Sequence, residues 1–430
     1  MTKRKIIKRQ NYIKLGASAS VVALLSVVMA FSLKHATEFL EHRILSFTEK
    51  NFRILFILLP TIGITTIYFL RKYVFFNKKN KGITEVYRTL DDRRDHLPFF
   101  KIPSHFINGF ITVIFGGSTG IEVSTVVYTA AIGNQIYEKE FSARRYKREL
   151  ICAGVTAGVA VLFASPLAGF FFAMEVIARK MRATLLYSCA VAAIISGAFI
   201  YFFDSTRILP FTVQGWEWYA MPFFIVLSFF GGALSVYFTI LVTRMKWIFS
   251  RIKNNFIRVN LGAITVGVML FIFPSLYGDS YLGMHNIIED ASSVQAVSLL
   301  NLLFLALLKP LAASLTLASG GDGGVFAPSI VAGAFLGLLF ASLCNQFLYT
   351  NLILLNFALV GGAATLSASI YAPITALLLM CNLLPNGFDL FIPILVASLI
   401  ANAFSKKLLP YNVYSYDQYK KKKSLDEIPL

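Results

Sequence analysis

Hydrophobic positions in this chain gather into long runs, with polar and charged residues crowded between them. Apolar segments can be marked off near 15–33, 54–70, 102–121, 123–137, 150–177, 184–203, 220–243, 260–277, 293–319, 323–348, 352–384 and 388–404. A helix of about 20 apolar residues crosses a bilayer, so the pattern predicts an all-α polytopic membrane protein. The segments are not uniform spans. Several are too short, and several are interrupted by Gly clusters or Pro. The 66 positions from Gly323 to Phe388 carry no charge, yet they hold Pro328, Pro373 and Pro385. That stretch is too long and too broken for two plain spanning helices, and broken, tilted helices describe it better. Lipid cannot satisfy the backbone groups freed at a break, so breaks belong where protein or a cavity surrounds them.

The breaks recur. Gly116-Gly117-Ser118-Thr119-Gly120-Ile121-Glu122-Val123-Ser124 is echoed by Gly320-Gly321-Asp322-Gly323-Gly324-Val325-Phe326-Ala327-Pro328, an offset of 204 residues. AGVTAGVAVLFASP, ending at Pro166, is echoed by VGGAATLSASIYAP, ending at Pro373, an offset of 207. Two matches in one order at nearly one offset predict a structural duplication, with approximate halves 15–205 and 215–415. Repeats with interruptions at corresponding positions point to a transporter-like core of inverted topology, its site near mid-membrane between the halves.

Composition narrows the class further. Of 430 residues, 57% are hydrophobic and only 14% charged, against about 25% charged in soluble domains. The net charge is +18. Nucleic acid is excluded as its reason, because a basic stripe needs a soluble domain to carry it. The Lys and Arg clusters (Lys3 to Lys14, Arg71 to Lys81, Arg144 to Arg148, Arg179 to Arg182, Arg244 to Arg258, Lys406 to Lys423) recur between apolar runs. Asp204, Asp279, Glu289 and Asp290 fall in intervening loops. This alternation predicts a protein embedded in the cell membrane, with basic cytoplasmic ends at 1–14 and 416–430 around a transmembrane domain at 15–415. A contribution of the charge to anion attraction stays open. The first apolar run has the length of a span rather than of a cleaved leader and reads as a retained helix. Cys152, Cys189, Cys344 and Cys381 all lie in apolar runs without C-x-x-C spacing, and the five His show no metal spacing, so neither disulfides nor a metal are expected. No P-loop or nucleophile elbow supports an enzyme, and no cofactor is called for.

The chemistry sits at the breaks. Glycine lets backbone N–H groups approach a ligand, and a helix N-terminus carries about half a positive charge. Together they make an anion site without a cation side chain that would hold the anion too tightly. Close helix packing is the alternative use of these glycines. Glu122 follows Gly120 between apolar stretches, where an acid is costly unless it faces water, a partner or a substrate path. Ionised, it would occupy the anion's place; protonated, it would leave it. Its alternative role is a helix cap. Glu175 either pairs with Arg179 at i,i+4 or lies on a proton path. Lys309 either snorkels to an interface or adds positive field.

At these residues the chain resembles the CLC family of chloride channels and chloride/proton exchangers. Gly324 to Pro328 (GVFAP) matches the family's GxFxP motif, and Gly120 to Ser124 sits where the family has GREGP. SPLAGFFFAMEV falls at its APLAG…E segment, and Val413-Tyr414-Ser415 resembles the segment bearing the pore tyrosine. The landmarks keep family order from about 15 to 415. The resemblance implies two inverted repeats, a homodimer with one pathway per subunit, and chloride or a similar monovalent anion as cargo. No CBS-type regulatory pair is expected after Tyr414. By resemblance, Gly324 opens the loop in which Val325 and Phe326 offer N–H groups to the anion. Tyr414 offers its hydroxyl, and Glu122 is the gate. The family's GSGIP motif is poorly kept: Asn80-Lys81-Gly82-Ile83-Thr84 stands in its place, putting Lys81 where the family has serine. Val176 replaces the second acid that relays protons in many exchangers. The reading therefore leans towards channel-like conduction, with proton antiport through Glu175, or secondary transport of another anion, as alternatives. The fluoride-exporting branch lacks the pore tyrosine, which favours chloride.

Overall fold

A computed structural model of the chain describes residues 3–78, 80–92, 95–140, 146–204, 209–292 and 298–426. The expected chain ends at 1–2 and 427–430, the half-boundary at 205, and Arg144 of the third basic cluster lie outside the described residues. Before the first glycine break come α1 (Lys3–Asn51), α2 (Leu55–Phe69, continued by a π-helical turn Leu70–Val74), α3 (Ile83–Asp91) and α4 (Lys101–Ile114). After it come α5 (Glu122–Glu140), α6 (Lys147–Leu162), α7 (Pro166–Phe172, continued by a π-helical turn Ala173–Ala178) and α8 (Ala183–Phe203). Then α9 (Met221–Ser250), α10 (Asn255–Ile272), α11 (Tyr281–Ser292) and α12 (Leu299–Ser319) lead to the second break. Beyond it lie α13 (Phe326–Phe347), α14 (Leu354–Ile370), α15 (Pro373–Asn382), α16 (Phe391–Leu408) and α17 (Tyr416–Asp426). Among the described residues, eight helices are long and apolar enough to cross a membrane. The protein is all-helical and multi-spanning, and its helices are broken where the Gly and Pro positions predicted.

The chain divides into two compact units. One comprises Met1–Ala36, Asn80–Ile107 and Glu122–Arg207; the other comprises Thr37–Lys79, Asn108–Ile121 and Ile208–Leu430.

In the first unit α5 and α6 are buried on nearly every face. They come together through glycine: a Cβ on Gly133 would sit on the Leu150 carbonyl, and one on Gly154 on the Thr129 carbonyl. α7 starts at Pro166 after Ser165, whose side chain accepts the Ala168 N–H at 3.3 Å.

The second unit repeats this construction at the sequence offsets. Gly337 closes on the Phe357 carbonyl and Gly361 on that of Gly333, between α13 and α14. Of the apolar stretch in α13, 78% is buried, against 28% in the Leu55–Val74 span. The latter turns Leu58, Ile62 and Phe69 outward, as a helix facing lipid does.

Both glycine breaks lie in this second unit, where they exchange hydrogen bonds. Gly117 N–H donates to Thr112 O (2.7 Å), and Gly321 N–H to Thr316 O (2.9 Å). Ser118 N–H then reaches across to Thr316 Oγ1 (3.2 Å), and Asp322 N–H to Thr112 Oγ1 (3.0 Å). Gly120 and Gly324 close the exchange as an antiparallel bridge. Each threonine hydroxyl also donates to its own helix, to Asn108 O (2.7 Å) and Ala312 O (2.9 Å).

Thr112→Val leaves the Asp322 N–H buried without its acceptor, a cost of about 1–3 kcal/mol. In thermal unfolding of the detergent-solubilised protein the Val variant melts several degrees lower, whereas Thr112→Ser stays close to wild type. Equal melting of all three would dismiss the exchange as a stabilising contact.

Candidate functional site

α13 begins at Phe326 with Val325 as its cap. The first N–H groups of a helix have no partner within it, and here one of them points at a side chain. Val325 N–H faces the Tyr414 hydroxyl at 3.3 Å. The Tyr414 ring lies 6.1 Å from that of Phe326, and all three residues are buried. Gly324 anchors the turn through its bridge to Gly120. At Gly323 any side chain would collide with Thr119, whose Cβ lies 2.7 Å from where a new Cβ would be. Val325, Phe326, Gly324 and Tyr414, chosen from sequence, are thus assembled within one unit around a helix N-terminus. An anion gains there from the helix dipole and from an O–H donor.

Tyr414 owes its position to two residues that sequence reasoning missed. Asn412 Oδ1 accepts the N–H groups of Tyr414 (3.1 Å) and Ser415 (2.9 Å). Tyr371, in a left-handed conformation at φ 58°, donates its hydroxyl towards Leu409 O (2.6 Å) and Tyr411 O (2.9 Å). The Asn-Val-Tyr-Ser order was a readable signal, because Asn and Ser favour such local turns. Nothing local marks Tyr371.

In the first unit Glu122 is the first residue of α5 and is buried. It stands 204 residues before Phe326, the first residue of α13, so gate candidate and anion-binding candidate are repeat counterparts. A carboxylate at a helix N-terminus is stabilised by the dipole. Gly82, at φ 62°, brings the Asn80–Gly82 turn against Val123, whose Cγ1 would lie 3.4 Å from an added Cβ.

Lys81 is exposed, and its backbone N–H donates to the Glu85 carboxylate. The buried cation of this turn is another residue. Lys101 Nζ lies 2.6 Å from Glu85 Oε2 and 3.2 Å from Asn80 Oδ1, while Asn80 holds Ser104 Oγ at 2.9 Å. Lys101 sits at the edge of an apolar run, and only the fold reveals what it meets.

Glu175 falls in the π-helical turn after α7, half-buried, with Val176 buried beside it. Arg179 ends that turn with its guanidinium 4.0 Å over the Tyr87 ring.

Lys309, in the second unit, does not snorkel. It is 0% exposed and donates to Ser118 Oγ (2.9 Å), Gly278 O (2.9 Å) and Ser280 Oγ (2.7 Å). The Glu41 carboxyl lies beside this cluster and accepts the Asp279 N–H at 3.2 Å. Burial raises the Asp279 carboxyl above its ordinary range, although the Tyr281 N–H and Lys309 pull it the other way.

A sequence model described as "Voltage gated chloride channel" matches residues 62–406. The chain is 29% identical over 310 residues to chloride channel protein CLC-f of Arabidopsis thaliana, covering 68% of this chain and 40% of that protein. It is 27% identical over 346 residues to the H(+)/Cl(-) exchange transporter ClcA of Vibrio cholerae serotype O1, covering 78% of this chain and 72% of that one. The chain thus spans well under half the length of the Arabidopsis relative. Among solved structures, a CLC-type fluoride/proton antiporter superposes with a TM-score of 0.79 at 23% identity, covering 96% of this chain and 98% of that one. A slow cyanobacterial Cl-/H+ antiporter superposes with a TM-score of 0.79 at 20% identity, covering 95% and 98%. These superpositions establish the fold.

Asn412→Ala frees the loop that aims Tyr414. Loss of its paired contacts lowers affinity for a monovalent anion about tenfold, the equivalent of ~1.4 kcal/mol. Calorimetry on the purified protein measures this, and Asn412→Ser, which keeps a neutral acceptor, loses less affinity than Asn412→Ala.

Proposed function

The chain belongs to the voltage-gated chloride channel family, and on that premise we propose that it carries chloride across a membrane along a pathway gated by Glu122. The observation that carries this reading is the convergence of Val325 N–H and the Tyr414 hydroxyl, 3.3 Å apart at the start of α13. Val325 N–H donates to the hydroxyl oxygen, and an anion seated between them takes a hydrogen bond from each; neither is a formal cation, so chloride is held by dipoles and released readily. Tyr414 also favours chloride over fluoride, since the resemblance assigns a pore tyrosine to the chloride branch.

Glu122 acts by occupancy. Its carboxylate, ionised, competes with the anion for the positive end of a helix; protonated, it gives up that competition. Transport therefore rises as the pH falls through the titration of Glu122. Val176, buried and unable to carry a proton, favours channel-like conduction. A second reading, chloride/proton exchange with Glu175 on the proton route, is favoured by the Vibrio relative, which is named an H(+)/Cl(-) exchange transporter. Lys81 is assigned to the approach to the pathway, where an exposed ammonium attracts anions at low ionic strength. Both termini are cytoplasmic in this reading, and two copies of the chain form a dimer with a pathway in each.

Glu122→Gln keeps chloride efflux from liposomes and loses its pH dependence between about pH 4 and 8, a window spanning carboxylate titration. A variant that tracks wild type across that window removes Glu122 from the gate. Reversal potentials in a planar bilayer separate the two modes. Under a chloride gradient, a channel follows the chloride equilibrium potential and ignores pH, whereas an exchanger shifts when a pH gradient is added.

A further inference from the structure

Asp322 occupies the middle of the second glycine loop, three residues before Val325. Its side chain is 9% exposed, and its Oδ2 lies 3.2 Å from Nη2 of Arg71, itself 22% exposed. Arg71 comes from the π-helical turn that ends α2. Its Nη1 donates to Gly320 O at 2.7 Å, so one guanidinium spans the carboxylate and a carbonyl at the negative end of α12. The Asp322 N–H is held by Thr112 Oγ1, which fixes the backbone that presents the acid.

The arrangement has a counterpart one repeat earlier. Ser118, 204 residues before Asp322, receives the Lys309 ammonium at 2.9 Å, and Gly278 O and Ser280 Oγ take its other hydrogen bonds. Each glycine loop thus carries a basic side chain on its third residue. In the second loop that third residue is itself an acid.

Either member of the second pair would disturb an anion by itself. A carboxylate within three residues of the anion-binding amides repels their ligand in a medium of low dielectric. An unpaired arginine there offers charge-assisted hydrogen bonds and prolongs the ligand's stay. Side by side they cancel.

We propose that Asp322 masks Arg71, and that this pair sets the chloride affinity of the site formed by Val325 and Tyr414. The inference rests on the reading of those residues as the anion site. Arg71 and Asp322 are specificity-determining residues that act through the local field; neither is required to touch the anion.

The test is chloride binding by calorimetry on the purified full-length chain, with chloride efflux from liposomes alongside it. A single charge acting over about 10 Å at an effective dielectric of about 20 changes anion affinity about tenfold. Asp322→Asn binds chloride about tenfold tighter and conducts more slowly at saturation. Arg71→Gln binds about tenfold more weakly. The double variant Arg71→Gln/Asp322→Asn returns to within about threefold of wild type, because the two charges leave together. Wild-type affinity in Asp322→Asn, with Tyr414→Phe still weakening binding, overturns the masking and leaves the anion site standing. Absence of chloride binding by the wild-type chain overturns the anion site and the masking with it. Should Arg71→Gln fail to fold, the isosteric Asp322→Asn decides alone.

Discussion

Everything near the site depends on the exchange in which the two glycine breaks satisfy each other. A helix that stops inside a membrane protein leaves amides and carbonyls that lipid cannot accept. Here Thr112 and Thr316 each end one helix and serve the loop of the other, through Asp322 N–H at 3.0 Å and Ser118 N–H at 3.2 Å. Neither break is complete alone. Their coupling explains why both occur, why they stand 204 residues apart, and why Glu122 and Phe326 both open helices immediately afterwards. Duplication of the chain has become a pair of contacts.

That constraint sorts the glycines into two kinds. Those of the loops bend the backbone: Gly116 at φ 81° and Gly320 at φ 115° close α4 and α12. Those within helices remove bulk, as Gly133 and Gly154 do between α5 and α6, and Gly337 and Gly361 between α13 and α14. Turning the backbone and removing bulk are both uses of glycine in this chain, and Gly323, against Thr119, serves the second within a loop.

Several charges taken largely out of water meet a partner. Lys34 and Asp204, 5% and 0% exposed, meet at 2.9 Å inside the first unit; Lys101 meets Glu85, Arg71 meets Asp322, and Lys309 lies among Glu41, Asp279 and three hydrogen-bond acceptors. A charge taken out of water needs a partner to offset the loss of hydration. On the proposed reading, pairing of such cations leaves the backbone dipoles at the start of α13 to attract the anion. The net charge of +18 is carried largely by the clusters between apolar runs.

The all-helical membrane class, the broken spans and the repeat were legible in the sequence, because they follow from apolar run length and from Gly and Pro, all properties of neighbours along the chain. Tyr414, 89 residues beyond Val325, was joined to Gly324, Val325 and Phe326 only through the family resemblance. The sequence did not determine where helices end. α1 runs on from the apolar stretch at 15–33 to Asn51, because Lys34 and Glu41 meet Asp204 and the Asp279 N–H in the fold and need not leave the helix. Only the tertiary structure decided that Lys101 is the buried cation of the Asn80–Gly82 turn, that Lys309 points inward, that Tyr371 and Asn412 aim Tyr414, and that Arg71 reaches Asp322. Each is a pairing between distant residues, and the energy of a buried polar group is set by what the fold places against it.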